Sequence, residues 1–357
     1  MRGFLTFLVV LLSAPMIAPG AAGQQQVVIR VYSATDSNAF RSIIADFEAR
    51  NPGISIEYTE FNTLELYEEL SAHRNVETLG VDVIISSATD LQIKLVNAGM
   101  AQAFFPERYF ADAQWRHELY GFTFEPVVVA YNKEAFANRP LPRTRSELAT
   151  MMRDDPAFFD RRVGTYDIRL SGVGYLFASQ DAERGYQFSR IAESFGRAEA
   201  KTYCCTSLVI DAVDRGELVF GYNLIGSYAL DALKDHDNLG IYLLDDYTLV
   251  MSRSAFVPKA SRHKIEAERF VSYLLSPQGQ RQLALHSGLI PLDPGARELV
   301  PGLGDLFGGQ RTLIPIRFGP GLLAHLDHLK QDMFWKDWET AMDVSPGTDE
   351  MSNATNR

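Results

Sequence analysis

Cysteine is nearly absent: the 357 residues hold two, and these are neighbours, Cys204 and Cys205. That excludes a disulfide framework, because adjacent cysteines close no useful loop and a bond between them demands strained local geometry. Apolar runs long enough for a bilayer are also missing. The longest, residues 4–12, falls short of the roughly 20 residues that a span requires. Positive charge is in deficit. A formal net charge of −11 disfavours nucleic acid or an anionic membrane as partner, although a local field can still attract an anion. Catalytic signatures are equally scarce. There is no G-x-S-x-G elbow, G-K-[ST] phosphate loop, H-E-x-x-H helix or C-x-x-C pair. Gly302-Leu303-Gly304 follows no strand and lacks dinucleotide-binding spacing. His325 and His328 stand at i and i+3 of a predicted helix, where two metal ligands would fit, but surface histidines are the commoner case. No enzymatic reaction, no metal and no cofactor is expected.

What is present begins at the N-terminus. Met1 and Arg2 precede an apolar core at 4–12, broken only by Thr6. Small residues fill 14–23, and three glutamines follow. This is the pattern of a secretory signal peptide spanning 1–23, cleaved after Gly23 with Ala21 at the third position back. No cysteine lies near the junction, which argues against a lipid anchor. The mature chain, 24–357, is expected in the periplasm as a monomer of about two domains.

Along that chain, strand and helix patterns alternate twice over. Residues 27–32 (VVIRVY) read as a buried strand. Phe40, Ile43, Ile44 and Phe47 repeat at helical spacing, and Ile54, Ile56 and Tyr58 alternate as the next strand. The three form a βαβ unit whose strands should be parallel. A helix over 64–73, a strand over 81–85 and a helix over 91–97 follow, then a strand over 127–131. A polar, helical stretch at 140–156 opens a second set, with a helix at 204–213 and a strand at 218–223. Residues 265–274 are an amphipathic helix, 301–343 a C-terminal helical segment, and 344–357 a polar tail expected to be disordered. Two doubly wound α/β lobes are predicted, with ligand at the carboxyl ends of the strands.

Four stretches, taken in order, resemble the extracellular solute-binding proteins of ABC transporters, in the branch of ferric-iron and organophosphate binders. They are residues 31–54, 81–90 (VDVIISSATD), 127–132 (VVVAYN) and 257–292, the last with its Ser276-Pro277-Gln278-Gly279-Gln280 turn and Gly-x-x-Pro close. Residues 165–175 (TYDIRLSGVGY) resemble the ligand-holding loop of the second lobe. The resemblance implies the type II periplasmic binding fold: lobe 1 at 24–131, lobe 2 at 132–240, a return to lobe 1 at 241–300, a hinge including Tyr131 and Asn132, and a ligand cleft between the lobes. It also implies delivery to an inner-membrane permease or, in some relatives, to a sensor kinase.

Iron binders of this branch carry adjacent tyrosines after the strand that follows an E-x-G-E turn. Here that turn is Asp214-Arg215-Gly216-Glu217, and the matching positions are Gly226 and Ser227, with Tyr228 alone. A small anionic solute, an organophosphate above all, is therefore the expected ligand, with ferric iron as the alternative. Ser33, Thr35, Ser87, Ser171, Gly172, Cys205 and Thr206 precede helices, where backbone N–H groups attract anions. Each of them also reads as a plain helix cap. Phe124, Tyr222 and Arg169 are expected to complete the wall, with Arg169 as the cation or, equally, as half of a surface salt bridge. The two cysteines line the cleft or pack beneath it.

Overall fold

A computed structural model describes residues 26–72, 80–308 and 311–342. The expected signal peptide at 1–23 and the tail at 344–357 lie outside them.

The first lobe grows from the predicted βαβ unit. β1 (Val27–Ser33) pairs in parallel with β2 (Ile54–Glu60) through α1 (Ser37–Arg50). The periodic Phe40, Ile43 and Phe47 are the buried stripe of α1, whereas Ile44 is only half-buried. After α2 (Thr63–Ala72), β3 (Val83–Ser86) adds in parallel on the other side of β1 and leads into α3 (Thr89–Asn97). β4 (Gln114–Trp115), β5 (Leu119–Gly121) and β12 (Ser254–Phe256) complete a 6-stranded sheet in the order β2-β1-β3-β12-β5-β4. Two later helices, α10 (Lys264–Leu275) and α11 (Pro277–His286), cover the same core. Phe47 meets Phe270 edge-on at 5.0 Å, and burying one such ring stabilises by roughly 1.5–3 kcal/mol.

The second sheet has 7 strands, ordered β13-β11-β6-β9-β7-β8 with β10 also on β6. Its members are β6 (Glu125–Asn132), β7 (Val163–Tyr166), β8 (Lys201–Tyr203), β9 (Phe220–Ile225), β10 (Leu239–Tyr242), β11 (Thr248–Met251) and β13 (Leu313–Pro315). Around it pack α4 (Arg145–Asp154), α5 (Pro156–Phe159), α6 (Gly172–Ala182), α7 (Gln187–Arg197), α8 (Thr206–Asp214) and α9 (Gly226–Ala232). The C-terminal segment includes α12 (Pro294–Arg297), α13 (Leu303–Leu306) and α14 (His328–Met342). It is not all helical, because β13 pairs in parallel with β11. α14 lies on α7, where Phe188 stacks on Phe334 at 5.7 Å and on Trp338 at 5.8 Å.

The chain crosses between sheets at 122–124 and returns at 252–253, with 288–292 running alongside: Phe124 N donates to Ile290 O and Leu292 N to Phe122 O. This moves the expected boundaries. Tyr131 and Asn132 are not at the crossing; they pair with Gly240 and Leu239 deep in the second sheet. Residues 125–131 belong with lobe 2, and the return to lobe 1 begins at Ser254, well after 241. An apolar run such as VVVAY looks the same whichever sheet it joins, so the assignment depended on pairing.

Candidate functional site at the lobe junction

The carboxyl ends of β1, β3, β7, β8 and β9 converge where the two sheets face each other. Helix N-termini follow most of these ends, as expected of doubly wound sheets. The lobes touch there. Val173 N donates to Thr63 Oγ1 at 3.3 Å, and Asp36 N to the Tyr228 hydroxyl at 3.1 Å. A Cβ on Gly172 would fall 2.8 Å from Leu91 Cδ1 and 3.2 Å from Ala88 Cβ, so this approach of α6 to α3 leaves no room for a side chain.

At the centre stands Arg253, fully buried on the returning crossover. Its Nε donates to Glu125 Oε1 and its Nη1 to Thr35 Oγ1, each at 3.0 Å, and its backbone N–H donates to Thr123 Oγ1. Its guanidinium carbon lies 4.6 Å from the centre of the Tyr228 ring. Burial opposes the charge, but Tyr228 and Glu125 outweigh it, and the Arg253 pKa is raised. Nη2 has no partner among the described residues, nor do the buried hydroxyls of Ser33 and Ser227. Tyr228, pushed up to about 12 mainly by burial, keeps its proton at neutral pH. Asp36 opens onto a cavity of about 480 Å³ walled by α1 and α11 on one side and α9 on the other. Its pKa is raised, first by crowding and then by Glu60, against the opposing pull of Arg253.

The structure brings seven of the expected residues to this junction. Ser33, Thr35 and Ser87 are buried at the ends of β1 and β3. Ser171 caps α6 by accepting from Gly174 N, and Gly172 faces lobe 1. Thr206 shares a short hydrogen bond with the Tyr166 hydroxyl. Cys205 is half-buried, and its side chain caps nothing. The Cys205 thiol donates to Cys204, which draws Cys204 down to about 7 and pushes Cys205 up.

Three expected residues are elsewhere. Arg169 pairs with Glu339 and lies 5.0 Å from the Trp335 ring, because α14 brings both within its reach. Phe124 packs on Phe307 and under Arg297, 4.1 Å away, beneath the C-terminal segment. Tyr222 is inside lobe 2. Its hydroxyl accepts from Arg145 Nε and donates to Asp181, both at 2.8 Å. The two histidines also part company: His325 meets Glu183 and His328 meets Asp332. No group of three His, Cys, Asp or Glu able to hold a metal occurs among the described residues. What sequence reasoning missed was Arg253, Glu125 and Asp36. Arg253 did leave a signal, as a lone charge inside the otherwise uncharged run LVMSRSAFV, where strands rarely bury arginine.

The family model for bacterial extracellular solute-binding proteins matches residues 42–302. Among solved structures, the substrate-binding protein of an ABC transporter from Agrobacterium tumefaciens is 33% identical, with a TM-score of 0.81 over 90% of this chain and 96% of that one. AfuA from Actinobacillus pleuropneumoniae, solved with exogenous fructose-6-phosphate, shares the fold at 14% identity and a TM-score of 0.70, over 90% and 99% of the two chains. Iron-bound HitA from Pseudomonas aeruginosa does so at 19% and 0.64, over 88% and 99%. No curated protein matches the sequence. With a family match over most of its length and two α/β lobes closed on a polar junction, the chain belongs to the bacterial extracellular solute-binding proteins.

Proposed function

We propose that this protein captures a small solute bearing an oxyanion in the periplasm and hands it to an ABC importer of the inner membrane. The observation that carries the reading is Arg253 at the lobe junction, a fully buried cation whose Nη2 has no hydrogen-bond partner among the described residues. An unsatisfied buried donor costs about 1–3 kcal/mol, a penalty that a bound oxyanion would remove. The N-termini of α6 and α8 add partial positive charge at the same junction. The importer follows from the likeness to the Agrobacterium substrate-binding protein.

Ferric iron fits less well. A Cβ at Gly226 would sit 2.3 Å from the Pro126 carbonyl oxygen, so no tyrosine can stand there, and Tyr228 is already engaged with Asp36 and Arg253. Thermal shift and calorimetry against phosphate, organophosphates, phosphonates and carboxylates test the reading. A true ligand at 100 times its Kd should stabilise by about 2.7 kcal/mol. Ser227→Ala should weaken it several-fold without lowering the melting temperature of the free protein. If no oxyanion bound, and ferric iron instead gave a visible tyrosinate band lost in Tyr228→Phe, the reading would be wrong.

A further inference from the structure

A second cavity, of about 490 Å³, lies where the crossover at 122–124 meets the C-terminal segment. Phe124, Pro294, Val300, Leu303, Phe307 and Leu313 give it apolar walls, and neither Arg253 nor Tyr228 lines it. Cavities of this size and lining hold small molecules, with a few polar groups fixing the orientation. One cation shares the walls. Arg297, at the end of α12, lines the cavity half-buried, with its guanidinium carbon 4.1 Å from the centre of the Phe124 ring. Its side chain makes no hydrogen bond or ion pair among the described residues. Asp293, the acid close enough to influence it, is engaged elsewhere: it accepts from Ala296 N at 2.8 Å and pairs with Arg108. Arg169 and Arg253 each meet a carboxylate, whereas Arg297 meets only a ring. Burial draws its pKa down, with Asp293 opposing, in keeping with a charge that is poorly compensated where it stands. Gly304 also lines the cavity, and a Cβ there would meet nothing within 4 Å, so this wall has space for a side chain.

We infer that this cavity is a second ligand site, which takes a small organic acid with an aromatic or branched apolar body. The carboxylate pairs with Arg297, and the body lies against Leu303, Phe307 and Leu313. A ring face attracts a cation, but a carboxylate supplies charge-assisted, two-point hydrogen bonds that the ring cannot. Glu298 stands at the rim but is exposed, where water weakens its repulsion of an anion. Such a ligand also rests on Phe124, whose backbone N–H holds Ile290 of the neighbouring connection, so it touches the segments that join the lobes. The inference does not depend on the oxyanion reading of the junction.

4-Fluorobenzoate and its neutral analogue 4-fluorobenzamide test it, by fluorine NMR and calorimetry on the full chain. The acid should bind about tenfold tighter than the amide, the size of one charge-assisted contact. Arg297→Gln should erase that difference by weakening the acid alone. Gly304→Trp, which fills the cavity from a position with room for a side chain, should abolish binding of both. Arg253→Lys should leave the acid's affinity unchanged, which separates this cavity from the junction. Circular dichroism and melting curves verify that each variant folds, and Gly304→Leu replaces the tryptophan variant should that one melt early. Equal affinity for acid and amide, or an acid that binds Arg297→Gln as tightly as wild type, would overturn the inference, and so would failure of both probes to bind. If the acid were lost in Arg253→Lys and held unchanged in Gly304→Trp, it would belong to the junction, which sinks the second site and leaves the oxyanion reading standing.

Discussion

Arg145 and Arg253 are both buried and both face carboxylates, yet one is complete and the other open. Arg145, within lobe 2, gives Nε to Tyr222, Nη1 to Asp246 and to the Tyr247 carbonyl, and Nη2 to Asp181. Asp181 in turn accepts from Tyr222, Asn223 and Tyr247. Arg253, where the lobes meet, spends Nε and Nη1 and keeps Nη2. Desolvating a guanidinium is costly, and satisfied networks offset that cost. A closed network of this kind is scaffold, and the one at the lobe junction that is not closed is where the oxyanion is proposed to bind. Burial and residue type do not tell the two arginines apart; the hydrogen bonds each makes do.

The largest expected effect breaks the comparison on the scaffold side. Arg145→Met leaves Asp181 and Asp246 without their cation and should destabilise by about 3–5 kcal/mol in denaturant melts. Arg253→Lys keeps a positive charge opposite Glu125 but loses the planar fork. The free protein should melt close to wild type, while affinity for an oxyanion ligand falls about 100-fold, or ~2.7 kcal/mol. Similar losses of stability from both variants, with affinity intact in the lysine variant, would show that the two arginines are equivalent.

A smaller effect concerns a third buried charge. Asp90, at the start of α3, is fully buried with no ion-pair partner among the described residues, and burial pushes its pKa up to about 7 against the opposing pull of the Leu91 and Asp90 backbone N–H groups. Because the folded-state pKa is raised, the folded state binds the proton more tightly than the unfolded state does. The stability this lends is complete below the unfolded value near 4 and is lost as pH rises through about 7. Asp90→Asn should therefore be more stable than wild type at pH 8 by about 1–2 kcal/mol, with the gap closing toward pH 4. Urea titrations at both ends decide it, and a gap independent of pH would refute the burial argument. The smallest effect is at Arg169, half-exposed and paired with Glu339. Arg169→Ala should cost no more than about 1 kcal/mol and leave ligand affinity unchanged; weakened binding would return this residue to the cleft.

Much of the fold was legible before any coordinates. The stripe Phe40, Ile43, Phe47 and the alternation along β2 are local patterns, so the βαβ unit followed from spacing. Helix boundaries shifted by a residue or two, as when α3 began at Thr89 instead of 91. Cap residues were legible as caps, and Ser171 is one. The place where the chain changes sheets was not, since Phe122, Thr123 and Phe124 carry no breaker and lead directly into β6.

The site divides along the same line. The Ser/Thr-rich turns at the ends of β1 and β3 and the loop before α6 could be placed at strand ends because each precedes its own helix, a relation among neighbours in sequence. Tyr222 and Arg169 were misplaced because their partners are distant: Asp181 is 41 residues from Tyr222, and Glu339 comes from α14 at the far end of the chain. Arg253 and Thr35 are 218 residues apart. Sequence by itself determined the alternating α/β plan, the acidic balance and the missing tyrosine pair, all of them properties of composition or short-range order. Only the tertiary structure decided which arginine closes its hydrogen bonds and which stays open, because that depends on which distant strands pair and so on which side chains reach the lobe junction.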